Sequence, residues 1–494
     1  MRAGHEPSVA TGGWTRGEFL RRLGGGAAVV FGGSSWWRFG EAGAAGPLSA
    51  KVGTVHHFRS RRDLRPPAIT VLHRAQDTAD GLLFLAPSSG PGQRGVLILD
   101  EAGKVVYFKP TTPNTAMNFR PALYRGKPVL TWWEGHAEAG LGVGTHVILD
   151  ASYREIARFP AGGGRQSDLH EFVLTPHGTA LVTSYETRYL DTRPWGGESV
   201  GKVIGGVVQE LDLPSGRVLF EWRSLDHVGL DESYQSPGRN FFDYFHVNSI
   251  ELDGEGDLIV SARNTWAVYK IIRKTHEIVW RLGGKKSDFK MGKGTVFAWQ
   301  HDARIHKGGR VISVFDDASF PQVEPQSRGL LIGLDYEQKT ATLIQKFTHR
   351  PGRLISKFMG NVQVLDNDNV LVGWGGAPFV TEFAPDGSIV FDAKLPEGGQ
   401  NYRAFRFPWV GRPARPPRAA IVSGQVYATW NGATEVSSWQ LWSGRTAGSL
   451  TPVEAVPRRD FETVIDLPRG DRFAAVTALD AAGNPLGSSA TVRA

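Results

Sequence analysis

Between about residue 50 and residue 411, apolar residues recur at alternate positions in short runs broken by Gly, Asp, Asn and Pro. That period of two is the mark of β-strands joined by tight turns. Long segments with helical period are missing, which argues against a parallel α/β fold. One hairpin phrase keeps returning: an apolar residue, an Asp or near relative, a turn, then alternating apolar residues. It runs from Leu99-Asp100 to Phe108, from Leu149-Asp150 to Phe159, from Leu211-Asp212 to Trp222 and from Ile272-Arg273 to Trp280. It returns at Leu334-Asp335 and at Phe383-Ala384, so its second positions fall at 100, 150, 212, 273, 335 and 384.

A second phrase lies between these hairpins. It reads His170 through Tyr185, His246 through Arg263, His301 through Val314, and Gly360-Asn361 through Val372. Two hairpins in each repeat make a four-stranded antiparallel sheet, the blade of a β-propeller. The pattern predicts an all-β chain with a six-bladed propeller over residues 50–411. The Pro- and Arg-rich stretch from Val410 to Arg418 reads as a linker. Short strands beyond it, over 412–494, predict a small β-sandwich resembling an immunoglobulin or fibronectin type III module, in a docking or packing role.

Residues 1–45 read as an export leader: Arg16 and Arg21-Arg22 precede a Gly/Ala/Val-rich segment ending near Ala42-Gly43-Ala44. Thr15-Arg16-Gly17-Glu18-Phe19-Leu20 resembles a twin-arginine signal with Gly17 in place of the second arginine. An extracellular or cell-envelope location, with possible membrane proximity through the leader, is the expectation. The net charge of +7, from 56 basic and 49 acidic residues, comes without a Lys/Arg block interleaved with aromatics, so nucleic acid is not an expected partner. The absence of cysteine excludes disulfides, thiol catalysis and Cys-ligated zinc.

His170, His246 and His301 stand at one repeated point of successive units, where innermost strands of a propeller converge on the central channel. Arg263 ends the second strand of the His246 unit. Three readings of this set are open. The first is anion chemistry, with Arg supplying a fork of donors and histidine a nucleophile or proton carrier. The others are a three-histidine metal site and hydrogen bonding between blades. Asp302 follows His301 and, in a regular strand, points to the opposite face.

The phrases Ser167-Asp168-Leu169-His170-Glu171-Phe172, Asp243-Tyr244-Phe245-His246-Val247-Asn248-Ser249-Ile250, Ser261-Ala262-Arg263-Asn264 and Trp299-Gln300-His301-Asp302-Ala303 resemble the bacterial arylsulfotransferases. The similarity is greatest to actinobacterial and fungal homologues. The resemblance implies a six-bladed propeller that moves a sulfuryl group from a phenolic sulfate ester to a phenol, without a nucleotide donor and without a cofactor. It implies His301 as the nucleophile carrying a transient sulfohistidine. His246, Arg263 and His170 would bind sulfuryl oxygens and handle the phenolic proton. Asn248, Asn264, Trp266 and Trp299 are expected at the substrate, although packing within a blade is the competing role for both tryptophans and for Tyr269. The alternatives are a non-catalytic binding or scaffold propeller and a metal-dependent hydrolase. Asp253-Gly254-Glu255-Gly256-Asp257 reads as a hairpin turn and not as a calcium loop.

Overall fold

The computed structural model describes residues 54–138, 140–349 and 353–494. The leader expected over residues 1–45 lies outside them. Among the described residues, six mainly antiparallel sheets span Thr70 to Phe407, with a small pairing of Pro87–Ser89 and Gln400–Asn401 beside them. The first is built from Leu82–Leu85, Gly95–Leu99 and Val105–Pro110, completed by the distant Phe405–Phe407. The second runs through Thr115–Tyr124, Lys127–Glu138, Leu141–Asp150 and Glu155–Phe159. The third uses Phe172–Leu174, Thr179–Leu190, Gly201–Asp212 and Arg217–Arg223, and the fourth Val247–Leu252, Leu258–Ala262, Ala267–Ile271 and Ile278–Gly283. The fifth is His301–His306, Val311–Asp316, Arg328–Asp335 and Thr340–Phe347, and the sixth Asn361–Val364, Val370–Gly373, Phe379–Phe383 and Ile389–Lys394.

Each sheet touches the next, and the sixth touches the first through Val370–Gly373 and Phe405–Phe407, which closes the ring into a propeller-like whole. The cores explain the alternation in the sequence. Leu83, Leu85, Leu97 and Leu99 of the first sheet pack against Leu371, Val380 and Phe391 of the sixth. Their neighbours Phe84, Val96 and Ile98 pack on the other side against Phe119, Leu130 and Trp132 of the second. The same division recurs between the remaining neighbours. Both faces of a strand such as Gly95–Leu99 are therefore buried throughout, and the period of two separates two cores and not core from solvent. Full burial of each such Leu, Val, Ile or Phe contributes about 1.5–3 kcal/mol.

Beyond the ring, Arg418–Val422, Gln425–Thr429 and Glu462–Asp466 form one sheet. Thr451–Pro457, Ser438–Gly444, Phe473–Leu479 and Pro485–Ser488 form a second. Val426, Trp439, Leu441, Ile465 and Val476 fill the space between them. Arg418 begins a strand where the sequence read as linker. Asn431 clamps this module to the first sheet, with its amide group accepting from Phe108 N and donating to Phe108 O at 2.9 Å each. Tyr153 of the second sheet donates to Gly432 O at 2.7 Å. Among the described residues no helix is long and apolar enough to cross a membrane.

Candidate active site

His170 lies just before the innermost strand of the third sheet, His246 just before that of the fourth, and His301 begins that of the fifth. Convergence of these strands brings the imidazoles together. The rings of His170 and His246 meet edge to face at 4.8 Å between centroids, and those of His170 and His301 lie 6.3 Å apart. Tyr402, which precedes the ring-closing strand, stands edge-on to His170 at 5.7 Å and to His301 at 6.4 Å. Its hydroxyl lies 3.3 Å from both His170 O and Asn248 O, so it donates to the backbone of two units at once.

Every one of the three histidines has Nδ1 against a carboxylate. Asp168 Oδ2 is 2.5 Å from His170 Nδ1, Asp317 Oδ2 is 2.7 Å from His301 Nδ1, and Asp243 Oδ2 is bonded to His246 Nδ1. Such a contact fixes the ring orientation and commits Nδ1, leaving Nε2 for chemistry. Burial and the neighbouring Arg263, His170 and His246 hold His301 well below the usual histidine range. His170 is also depressed by burial, with Asp168 pulling against the effect. Burial raises Asp168, yet His170 and the Gly142 N–H outweigh it and keep this carboxyl low. Burial pushes Asp317 well up against the pull of Arg263.

Arg263 follows the second strand of the fourth sheet, and its N–H donates to His246 O at 2.9 Å. Its guanidinium lies over the Trp299 ring at 4.9 Å and donates to Asn264 Oδ1 at 3.0 Å. Among the described residues it has no carboxylate within ion-pair distance, although Asp317 and Asp243 are near enough to favour its charge against burial. A cation held this way is free to receive an oxyanion.

The remaining residues singled out from the sequence hold the framework of this group. Asn264 Nδ2 donates to Asp243 O at 2.6 Å, tying Arg263 to the His246 unit. Asn248 is fully buried and donates to Gln300 O, the carbonyl preceding His301, at 2.6 Å. Trp299 is buried and donates to Pro321 O at 3.1 Å. Trp266 meets Trp299 edge to face at 5.1 Å. Tyr269 sits within the core between the third and fourth sheets. Asp302 does not reach the His301 ring, but the reason is not a regular strand. It sits at φ 55° within an irregularity between His301 and Arg304, and its carboxylate pairs with Arg304 and with Arg403.

The carboxylate partners and Tyr402 were not assigned from sequence. Asp317 was readable in principle: antiparallel pairing sets Phe315 opposite His301, which puts Asp317 just past the strand end beside it. Tyr402 carried no local signal, because the strand that follows it joins a sheet that begins more than 300 residues earlier.

Beneath the histidines the ring centre is charged and closed. Glu171 takes Arg403 at 3.0 Å and Arg120 at 3.1 Å, and Arg304 at 2.5 Å. These three guanidiniums outweigh burial and hold its carboxyl far below the usual range. The Asp253–Asp257 segment forms the expected turn between two strands of the fourth sheet. Its three carboxylates converge within 4.8 Å, and Lys270 Nζ lies 2.8 Å from Asp253 and from Glu255. The ligand atoms of the three histidines do not converge to that spacing.

Comparison with known proteins places this geometry in context. Solved structures similar to the chain include a protein of unknown function from Bacteroides caccae, 13% identical, covering 66% of this chain and 98% of its own, with a TM-score of 0.41. A catalytically inactive virginiamycin B lyase from Staphylococcus aureus with quinupristin is 9% identical over 74% of this chain and 97% of its own, with a TM-score of 0.34. The Dos1 propeller is 10% identical over 75% and 79%, with a TM-score of 0.32. Likenesses this distant carry no weight for activity. No curated protein matches the chain. The family model of arylsulfotransferase (ASST), in contrast, matches residues 120–395, more than half the sequence and the span that carries all three histidines and Arg263. The chain belongs to the arylsulfotransferase family.

Proposed function

We propose that this protein moves a sulfuryl group from an aryl sulfate to a phenol by way of a covalent intermediate on His301, on a six-bladed propeller with a fibronectin- or immunoglobulin-like module at residues 412–494. The observation that carries the reading is the pairing of three imidazoles, each braced at Nδ1, with a half-buried guanidinium that has no carboxylate partner among the described residues. Asn248 and Asn264 act in it as positioning groups. With a proton on the Nδ1 that faces Asp317, His301 directs the Nε2 lone pair at sulfur. The N–S bond forms as the S–O bond breaks, and the departing phenolate takes a proton from Nε2 of His246 or His170. Arg263 compensates the sulfonate charge throughout. In the second half the acceptor phenol returns its proton to that Nε2, its oxygen attacks sulfur and the N–S bond breaks, so donor and acceptor alternate in ping-pong order. Export by the leader of residues 1–45 belongs to the same proposal.

The test is release of a chromogenic phenol from its sulfate ester with and without phenol as acceptor, in the presence and absence of chelator. Acceptor-dependent, chelator-insensitive release is expected, as is a mass gain of one sulfuryl group on the His301 peptide after quenching with donor alone. Wild type and His301→Asn behaving alike toward every aryl sulfate would sink the reading in favour of a binding or scaffold propeller.

A further inference from the structure

The indole of Trp299 is a junction between the buried site and the surface. One face carries the Arg263 guanidinium at 4.9 Å. Its edge meets Trp266 at 5.1 Å, and Trp266 stacks on Tyr234 at 3.7 Å with the ring planes 5° apart. Tyr234 is 37% exposed, and its backbone N–H donates to Asn264 O at 2.8 Å, which ties it to the residue that positions Arg263. On the other side, the Trp299 N–H donates to Pro321 O and thereby holds the loop that leaves Asp317, the carboxylate partner of His301. That loop presents Phe320 at 66% exposure, among the most exposed large apolar side chains in the described chain. Lys285 stands 5.0 Å over Tyr234 and Lys357 5.8 Å over Phe320, so the aromatic surface has cationic margins.

Aromatic rings thus lead outward from Arg263 through Trp299 and Trp266 to the exposed Tyr234, and the loop tied to Trp299 at Pro321 O carries the exposed Phe320. A phenol whose oxygen reaches the histidines spans roughly one such step, about 5 Å. Only an acceptor with a second ring or a comparable flat apolar extension reaches the outer rings. We propose that Tyr234, Trp266 and Phe320 form an acceptor strip, and that the preferred acceptors are phenols extended by such a group. This inference rests on sulfuryl transfer at His301 and specifies the substrate class of that site.

The experiment compares 4-phenylphenol with phenol as acceptor, using the full chain and 4-nitrophenyl sulfate as donor. Contact of the second ring with the strip is expected to raise kcat/KM for 4-phenylphenol over phenol by about tenfold or more. In the Tyr234→Ala, Phe320→Ala double variant that ratio is expected to fall to within about twofold, chiefly through KM, while Phe320→Trp retains it. Thermal denaturation establishes that the double variant is folded. A wild-type protein that transfers to phenol with a ratio near one overturns the strip and leaves sulfuryl transfer standing. A folded double variant with an undiminished ratio does the same. A wild-type protein that transfers to neither acceptor overturns both.

Discussion

At His301 the two ring nitrogens meet different surroundings. Nδ1 lies 2.7 Å from Asp317 Oδ2, and this contact decides which nitrogen keeps a lone pair. In Asp317→Asn the amide donates to Nδ1 and moves the imidazole proton to Nε2, where it blocks attack on sulfur. kcat is expected to fall at least about 100-fold with little change in KM, as steady-state kinetics with an aryl sulfate would show. Proton uptake on His301 also removes the nucleophile. Burial and Arg263 hold its titration well below 6.5, so the acid limb of kcat/KM that reports this group lies below that pH. A pH–rate profile whose acid limb sits at or above 6.5 and vanishes in His301→Asn contradicts the assignment. The same depression has a stability counterpart. The neutral ring is favoured by the fold, so its contribution is present above 6.5 and lost as pH falls toward the folded value.

Elements set how tightly these residues are held. The hairpin of Lys127–Glu138 and Leu141–Asp150 leans against His246 at its tip. There Gly140 adopts φ +80°, and a Cβ on it would stand 3.0 Å from His246 Cε1. Gly142 donates its N–H to Asp168 Oδ1 at 2.8 Å from the same hairpin. Gly140→Ala therefore adds left-handed strain of about 1 kcal/mol and displaces the His246 ring. Activity is expected to drop roughly tenfold, with a loss of stability of that size in denaturant titration. The strands and turns of this hairpin were legible as alternation and turn residues, whereas its lean was not. The same holds for Asp302: the sequence predicts a regular strand, and a left-handed residue turns its carboxylate to Arg403 and Arg304 instead.

The charged centre of the ring acts across the whole molecule. Glu171 from the third sheet takes Arg120 from the second, Arg304 from the fifth and Arg403 from the segment leading into the closing strand. Its neutralisation leaves Arg120 without its carboxylate and Arg304 and the buried Arg403 with Asp302 alone. Glu171→Gln is expected to cost about 3–5 kcal/mol, read as a lowered Tm, without any change to the histidine rings themselves. Nearby Glu251 is raised to about 7 from its ordinary 4.5, chiefly by burial, against the pull of Arg304 and the Ile305 N–H. Because the folded form holds this proton more tightly, its stabilisation is present at low pH and is lost as pH rises from 4.5 toward 7. Glu251→Gln removes that slope. The difference in unfolding free energy between acid and neutral pH should change by up to about 3 kcal/mol in the variant.

Alternation and its recurrence determined the strands, the turns, the repeat and the equivalence of His170, His246 and His301, because strand period and turn chemistry are local properties of the chain. The motifs around those residues carried the family. Only the tertiary structure decided which groups face each histidine, how Arg263 keeps a free guanidinium, and how Tyr402 and Arg403 arrive at the centre. Those relations depend on closing the ring with Phe405–Phe407 against Leu82–Leu85, a pairing between segments more than 300 residues apart. They depend equally on positive φ at His246, Trp299 and Asp302, which the packing of neighbouring sheets imposes against local preference.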